Sequence, residues 1–247
     1  MLVTVIIITL IAAVGGTGLG GLLGVVLKRE SEKIVSLLLS FAAGVMMAAS
    51  VWSLIIPAVE MSASFSFFAF LPMFIGLWAG ILFFVVTEKP LSAFEKRQKS
   101  GNLSFFLAVV LHNIPEGMAV GVAFAMALET GSRGLMLSAL MLSFGMALQN
   151  IPEGAIISLP LSESGFSKTK AFAFGSLSGL VEPLAAVVTL AFSSVASALL
   201  PYLLGFAAGA MIYVSVRDLL PEATGLYGVL WFCAGFSVMM VLDIALG

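Results

Sequence analysis

The pentapeptide Asn-Ile-Pro-Glu-Gly occurs twice, at Asn113 to Gly117 and at Asn150 to Gly154, each time inside a stretch apolar enough to cross a membrane. A carboxylate at the bilayer centre costs roughly 2.5 to 3.5 kcal/mol, and a proline inside a helix costs about 3 kcal/mol through its lost hydrogen bond. A chain that accepts both penalties twice places its chemistry there. At about 100° per residue on a helix, His112 and Glu116 share a face and Asn113 falls on the other side of Glu116. Gln149, Asn150 and Glu153 repeat that geometry in the next apolar run, so two carboxylates are each flanked by residues three and four positions back.

A third acid, Glu182, stands before Pro183 in the following run. Counting about 1.5 Å per residue from the basic end of each run brings His112 and Glu153 to a common depth of roughly 13 Å, with Glu182 at about 20 Å and within side-chain reach. Three anions in hydrocarbon repel one another, and a divalent cation resolves the conflict. One imidazole, two or three carboxylates and side-chain amides form a mixed nitrogen and oxygen set. Such a set suits Zn²⁺, Fe²⁺, Mn²⁺ or Cd²⁺ and suits Cu⁺ poorly. Pro115 and Pro152 cannot bond Leu111 and Leu148, which predicts irregular backbone and a wet cavity at this level. Met46, Met47, Met118, Met146 and Met211 are expected to pack rather than to ligate.

These residues must be positioned by membrane helices. Hydrophobic residues make up 61% of the 247 and charged residues 10%, against roughly 25% charged in a soluble domain. Apolar runs at about 2–27, 34–59, 66–87, 103–128, 134–160, 170–197, 199–220 and 226–246 predict an all-α integral membrane protein with eight transmembrane helices in a single polytopic domain, 1–247. Lys28, Arg29, Lys33, Lys89, Lys96, Arg97, Lys99, Lys168 and Lys170 fall in the first, third and fifth connections, and Arg217 agrees while Arg133 does not. The expected location is therefore the cell membrane, multi-pass, with both termini outside and the basic loops cytoplasmic. No basic patch interleaved with aromatics suggests a nucleic-acid partner. The single cysteine, Cys233, excludes a disulfide framework and reads as a small buried hydrophobe.

An internal repeat is also visible: FAAGVM at Phe41 to Met46 and FAAGAM at Phe206 to Met211 are followed at matching positions by Ser50-Val51 and Ser215-Val216. Helices 2 and 7 run in opposite directions in the eight-helix scheme. Helices 1–3 and 6–8 are thus candidates for inverted repeats around a central helix 4/5 pair, as in many secondary transporters.

The run His112-Asn113-Ile114-Pro115-Glu116-Gly117 and the later Pro152-Glu153-Gly154 resemble the signatures of the ZIP metal-ion transporters. QNIPEGAIISLPL at Gln149 to Leu161 and LSGLVEPLAAVV at Leu177 to Val188 are similar to the GufA-like branch in particular. The resemblance implies eight helices, a binuclear intramembrane site, a homodimer and movement of divalent metal, zinc foremost, toward the cytoplasm. It also implies an elevator-like motion in which helices 1, 4, 5 and 6 carry the site past helices 2, 3, 7 and 8. Carried over residue by residue, one metal is held by His112, Glu116, Gln149 and Glu153, and the other by Asn113, Glu116, Asn150, Glu153 and Glu182. The expected partners are the metal and the lipid bilayer, with metal as cargo and no organic cofactor. Some relatives have aspartate where Asn150 stands, which lowers the negative charge of the second site here. Residues 88–103 contain no histidine, so metal sensing by that loop is not expected. An intramembrane zinc protease is disfavoured because H-E-x-x-H needs two histidines and this chain has one, so no enzyme activity is expected. A proton-coupled organic-cation carrier would leave the histidine and the amides without a role.

Overall fold

The computed structural model describes residues 2–26, 32–97, 102–193 and 197–246; within these ranges the side chains of 88–97, 102–112 and the single positions 2, 32, 193, 197, 222 and 246 lie outside the description. The described residues are helical with short connections and contain no strand. The α-helices are α1 (Leu2–Val26), α2 (Glu32–Ala49), α3 (Ile56–Met61), α4 (Leu71–Arg97), α5 (Asn102–Thr130), α6 (Arg133–Glu163), α7 (Lys168–Leu177), α8 (Val181–Ser193), α9 (Leu200–Val214) and α10 (Gly225–Leu246). Among the described residues six helical stretches are long and apolar enough to cross a membrane: Val3–Val26, Lys33–Met61, Arg133–Glu163, Lys168–Phe192, Leu200–Leu219 and Gly225–Ala245. A shorter apolar stretch covers Leu71–Thr87.

The helices form two groups. In one, α1 packs along α6 and α7, while α5 packs along α8 and α6. In the other, α4 packs along α9, and α2 along α10. Contacts of α2 and α10 with α6, and of α5 with α9, join the groups. Met46, Leu54, Phe124, Leu142, Met146, Met211 and Met239 are fully buried in the shared core, while Met47 and Met118 are partly buried. Tyr227, Leu230, Val241 and Ile244 of α10 are exposed, as befits a helix whose outer face meets acyl chains rather than water.

Glycines bring the helices into backbone contact, the usual device where no hydrophobic effect drives association. The FAAG sequence does this twice in matching fashion. A Cβ on Gly44 would overlap the Phe232 carbonyl oxygen, and one on Gly209 would overlap that of Leu77. Conversely, Gly235 abuts the Phe41 carbonyl and Gly80 abuts that of Phe206. The α2·α10 contact and the α9·α4 contact are therefore built from the same glycine and phenylalanine positions. Each FAAG helix also widens into a π-helical stretch at the matching serine, Ser50–Ile55 in one and Ser215–Leu219 in the other. Pro57 and Pro221 follow shortly after, and a widened turn relieves the clash of a proline ring with the preceding carbonyl.

The structure corrects several expectations. Backbone irregularity was expected at Pro115 and Pro152, but α5 and α6 run through both as continuous α-helices. The departures sit instead in the π segments and in a 3₁₀ turn at Ser178–Leu180, just ahead of Pro183. Lys89, Lys96 and Arg97 do not form a loop, because α4 continues as helix to Arg97; Lys28, Arg29 and Lys99 lie outside the described residues. The third helix begins at Leu71 rather than near 66, since Ser66 turns the chain with φ 53°. Cys233 is exposed, not buried, on the outward face of α10, where an apolar environment costs a small thiol nothing.

Candidate metal centre

The α5–α6 hairpin sets the level of the site. Thr130 ends α5, Gly131 takes a left-handed φ of 64°, and the Ser132 hydroxyl caps α6 by accepting from Leu135 N–H at 3.3 Å. Asn113 lies 17 residues before Thr130 and Asn150 lies 17 residues after Arg133, so both motifs stand about 26 Å from the turn and face each other. The glycine that closes each motif lets a further helix approach. A Cβ on Gly117 would overlap the Glu182 carbonyl oxygen of α8, and one on Gly154 would overlap that of Thr17 in α1. This role of the pentapeptide's glycine is not read from the motif spacing.

Six of the seven expected site residues converge with described side chains. Asn113, Glu116, Gln149 and Asn150 are fully buried, and Glu153 and Glu182 are 7% and 4% exposed. His112 occupies α5 one turn before Glu116, but its side chain lies outside the described residues. The Gln149 amide donates to Glu116 Oε1. Asn150 Nδ2 donates to Glu182 Oε1 at 2.8 Å, and Asn113 Nδ2 donates to the same oxygen at 3.2 Å and to the Ser178 carbonyl at 3.4 Å. Glu116 and Glu153 are neighbours across the α5–α6 packing.

These bonds leave a consistent remainder. Asn113 Oδ1, Glu116 Oε2, Gln149 Oε1, Asn150 Oδ1 and Glu153 Oε2 are buried without a hydrogen-bond partner. All five are acceptor oxygens, and they come from two helices turned toward one another. A buried acceptor without a donor is costly, so a group of five acceptors calls for a shared donor or cation. Two apposed carboxylates make the same demand, which a proton or a cation meets. Among the described residues no three His, Cys, Asp or Glu side chains alone are grouped as a metal site. The amide oxygens complete the set, giving the oxygen-rich surroundings that borderline and hard divalent ions accept. A small cleft lined by Thr9, Gly117, Val120, Ser143, Met146 and Glu182 adjoins the site.

Outside this cluster, the Ser53 hydroxyl donates to Asp243 Oδ1 at 2.8 Å, while Asp243 Oδ2 is buried without a partner. Motif reading passes over Asp243, although a lone acid in the last apolar run is itself a signal. Arg217 pairs with its neighbour Asp218 at 3.9 Å, both being substantially exposed.

Residues 94–243, which contain both pentapeptides and Glu182, match the Zip family, ZIP zinc transporter. The chain is 34% identical to zinc transporter ZIP11 of Homo sapiens in an alignment covering 94% of each chain. It is 34% identical to zinc transporter ZIPB of Bordetella bronchiseptica over 96% of this chain and 79% of that relative. Zinc transporter GufA of Myxococcus xanthus is 38% identical over 59% of this chain and 56% of its own length, in keeping with the GufA-like resemblance of the motifs. With its paired carboxylates and amides carried on α5 and α6, this chain belongs to the ZIP zinc transporter family.

Proposed function

We propose that this protein moves divalent transition-metal ions across the cell membrane toward the cytoplasm, with Zn²⁺ the foremost cargo and Cd²⁺, Fe²⁺ and Mn²⁺ as further candidates. The observation that carries this reading is the cluster of five buried acceptor oxygens contributed by α5 and α6, with Glu182 of α8 beside it. That the three relatives named above are zinc transporters supports zinc. The protein is a carrier and not an enzyme. The cargo exchanges its waters for His112, Glu116, Gln149 and Glu153. A second, adjacent position uses Asn113 and Asn150 with the shared Glu116 and Glu153 and the nearby Glu182. Neutral amide ligands keep affinity moderate, which lets the ion leave again.

In this reading eight segments cross the bilayer: α1, α2 with α3, α4, α5, α6, α7 with α8, α9 and α10. Both termini are outside and the basic helix ends are cytoplasmic, a placement supported by the clustering of lysine and arginine. The first three and last three segments are inverted repeats, supported by the matched glycine contacts and π-helical stretches. The group holding α1, α5, α6, α7 and α8 moves against the group holding α2, α4, α9 and α10 in an elevator-like cycle, within a homodimer. The test is Zn²⁺ and Cd²⁺ entry into proteoliposomes loaded with a metal-sensitive dye, comparing the native chain with Glu153→Gln. Saturable entry that disappears in the variant supports the reading. Equal entry through both, or none through either, would sink it and favour an organic-cation carrier.

A further inference from the structure

We propose that the turn between α3 and α4, residues 62–70, is an in-plane membrane anchor: its phenylalanines sit in the headgroup and acyl boundary of the leaflet at that end of α4. The inference rests on the reading of α4 as a bilayer-crossing segment and gives the turn ahead of it a partner, the lipid itself.

The length of α4 calls for such a turn. Its apolar part, Leu71–Thr87, spans about 25 Å at roughly 1.5 Å per residue, against a hydrocarbon core about 30 Å thick. Tilt would widen the shortfall, and a short stretch draws its flanking residues into the boundary. On one side the flank is charged, beginning at Glu88, whereas no charged residue occurs from Met61 to Thr87. The apolar surface therefore continues through the turn.

Phe65, Phe67, Phe68 and Phe70 are all exposed there, Phe67 at 82%. The Phe67 and Phe68 rings meet edge to face with centroids 5.4 Å apart. Leu71, Phe74, Ile75, Trp78 and Leu82 are exposed at helical spacing and carry the apolar face on along α4. Ser64 and Ser66 are exposed among the rings, a mixture that suits a boundary holding both water and acyl chains. Backbone that enters this region must close its own hydrogen bonds. The Ser62 N–H donates to the Val59 carbonyl at 3.1 Å, Phe65 to Ser62 at 2.9 Å, Ala69 to Ser66 at 3.1 Å and Phe74 to Phe70 at 2.9 Å. The Ser62 hydroxyl donates to the Ala58 carbonyl at 3.0 Å.

In the eight-segment reading the α5–α6 turn lies at the same membrane surface, and its chemistry is the opposite. It reads Glu129-Thr130-Gly131-Ser132-Arg133, with Glu129 and Arg133 exposed, which places it in water. Lipid thus holds α4 and, through the backbone contacts of Gly76 with Tyr202 and of Gly205 with Met73, α9. The turn of the metal-bearing hairpin is left to the solvent.

The test places nitroxide spin labels on the full-length protein in phosphatidylcholine liposomes, in a Cys233→Ala background. Collision with molecular oxygen, which concentrates among acyl chains, is compared with collision with a water-soluble nickel chelate. Labels at Phe67→Cys and at Ser64→Cys, which removes no ring, are each expected to favour oxygen and to report a position about 5–10 Å into the bilayer surface. Either label alone decides if the other variant does not fold. Glu129→Cys is the aqueous reference and Leu82→Cys the acyl-chain reference. Nickel access in the turn equal to that at position 129 would put the turn in water and overturn the proposal. Low collision with both reagents would overturn it as well, because the turn would then be covered by protein, a second copy of this chain included. Nickel access at position 82 would instead refute the reading of α4 as a bilayer-crossing segment.

Discussion

Adding one methyl group at Gly117 probes how tightly the site depends on helix spacing. In Gly117→Ala the new Cβ would lie 2.8 Å from Ala185 Cβ, where ordinary contact begins at 3.4 Å, and would also overlap the Glu182 carbonyl. Helix α8 must retreat by at least about 0.6 Å, since two helix backbones cannot interpenetrate. That movement takes Glu182 with it. The Asn150 to Glu182 bond of 2.8 Å would lengthen to about 3.4 Å, and the Asn113 bond of 3.2 Å to about 3.8 Å, outside hydrogen-bonding range. Overpacking of this kind costs about 1–3 kcal/mol, and the lost Asn113 bond adds about 1–3 kcal/mol where no new partner is found. Zn²⁺ affinity should fall by at least about tenfold, because Glu182 is drawn away from the groups on α5 and α6 that share the site with it. Calorimetric titration in detergent reads the affinity, and thermal unfolding reads the stability. Gly15→Ala is the control, because nothing lies within 4 Å of its Cβ position and the helix favours alanine over glycine. Native affinity in Gly117→Ala would refute the argument that the α5–α8 approach sets the ligand geometry.

The matched contacts of the FAAG helices predict matched costs. Gly44→Leu and Gly209→Leu should each destabilise the protein by at least about 1–3 kcal/mol in thermal unfolding, and a loss in one without the other would show that the two packings are not equivalent. Ser53→Ala removes the donor to Asp243 and should cost about 1.5–3 kcal/mol by the same assay, with Zn²⁺ affinity at the central site unchanged. Zn²⁺ at about 100 times its dissociation constant should stabilise the folded protein by about 2.7 kcal/mol, raising the unfolding temperature in a way that a chelator reverses.

Much of the centre was legible because helical spacing is rigid. The positions of Asn113 and Glu116, and of Gln149, Asn150 and Glu153, decide which residues share a face, and their common depth from the basic ends of the runs brings the faces to one level. Glu182 was legible as an acid in an apolar run. What spacing does not reveal is hydrogen-bond direction: that both asparagines give their nitrogens to one oxygen of Glu182 depends on a third helix. The close approach at Gly117 and Gly154 depends likewise on partners far away in sequence. Prolines misled in the other direction, because a single lost bond at Pro115 or Pro152 is absorbed by a long, well-packed helix. Hydropathy also ended the third helix too early, since a helix continues through basic residues that end an apolar run. Cys233 was misjudged because apolar character implies burial in water but not in lipid.

The measurement that bears most directly on the account is Zn²⁺ titration of the native chain against the isosteric pair Glu116→Gln, Glu153→Gln. These two residues hold the only carboxylate oxygens among the five orphaned acceptors. The account predicts saturable binding by the native protein and none in the folded double variant. Equal binding by both would contradict it, because the metal would then be held somewhere other than between α5 and α6.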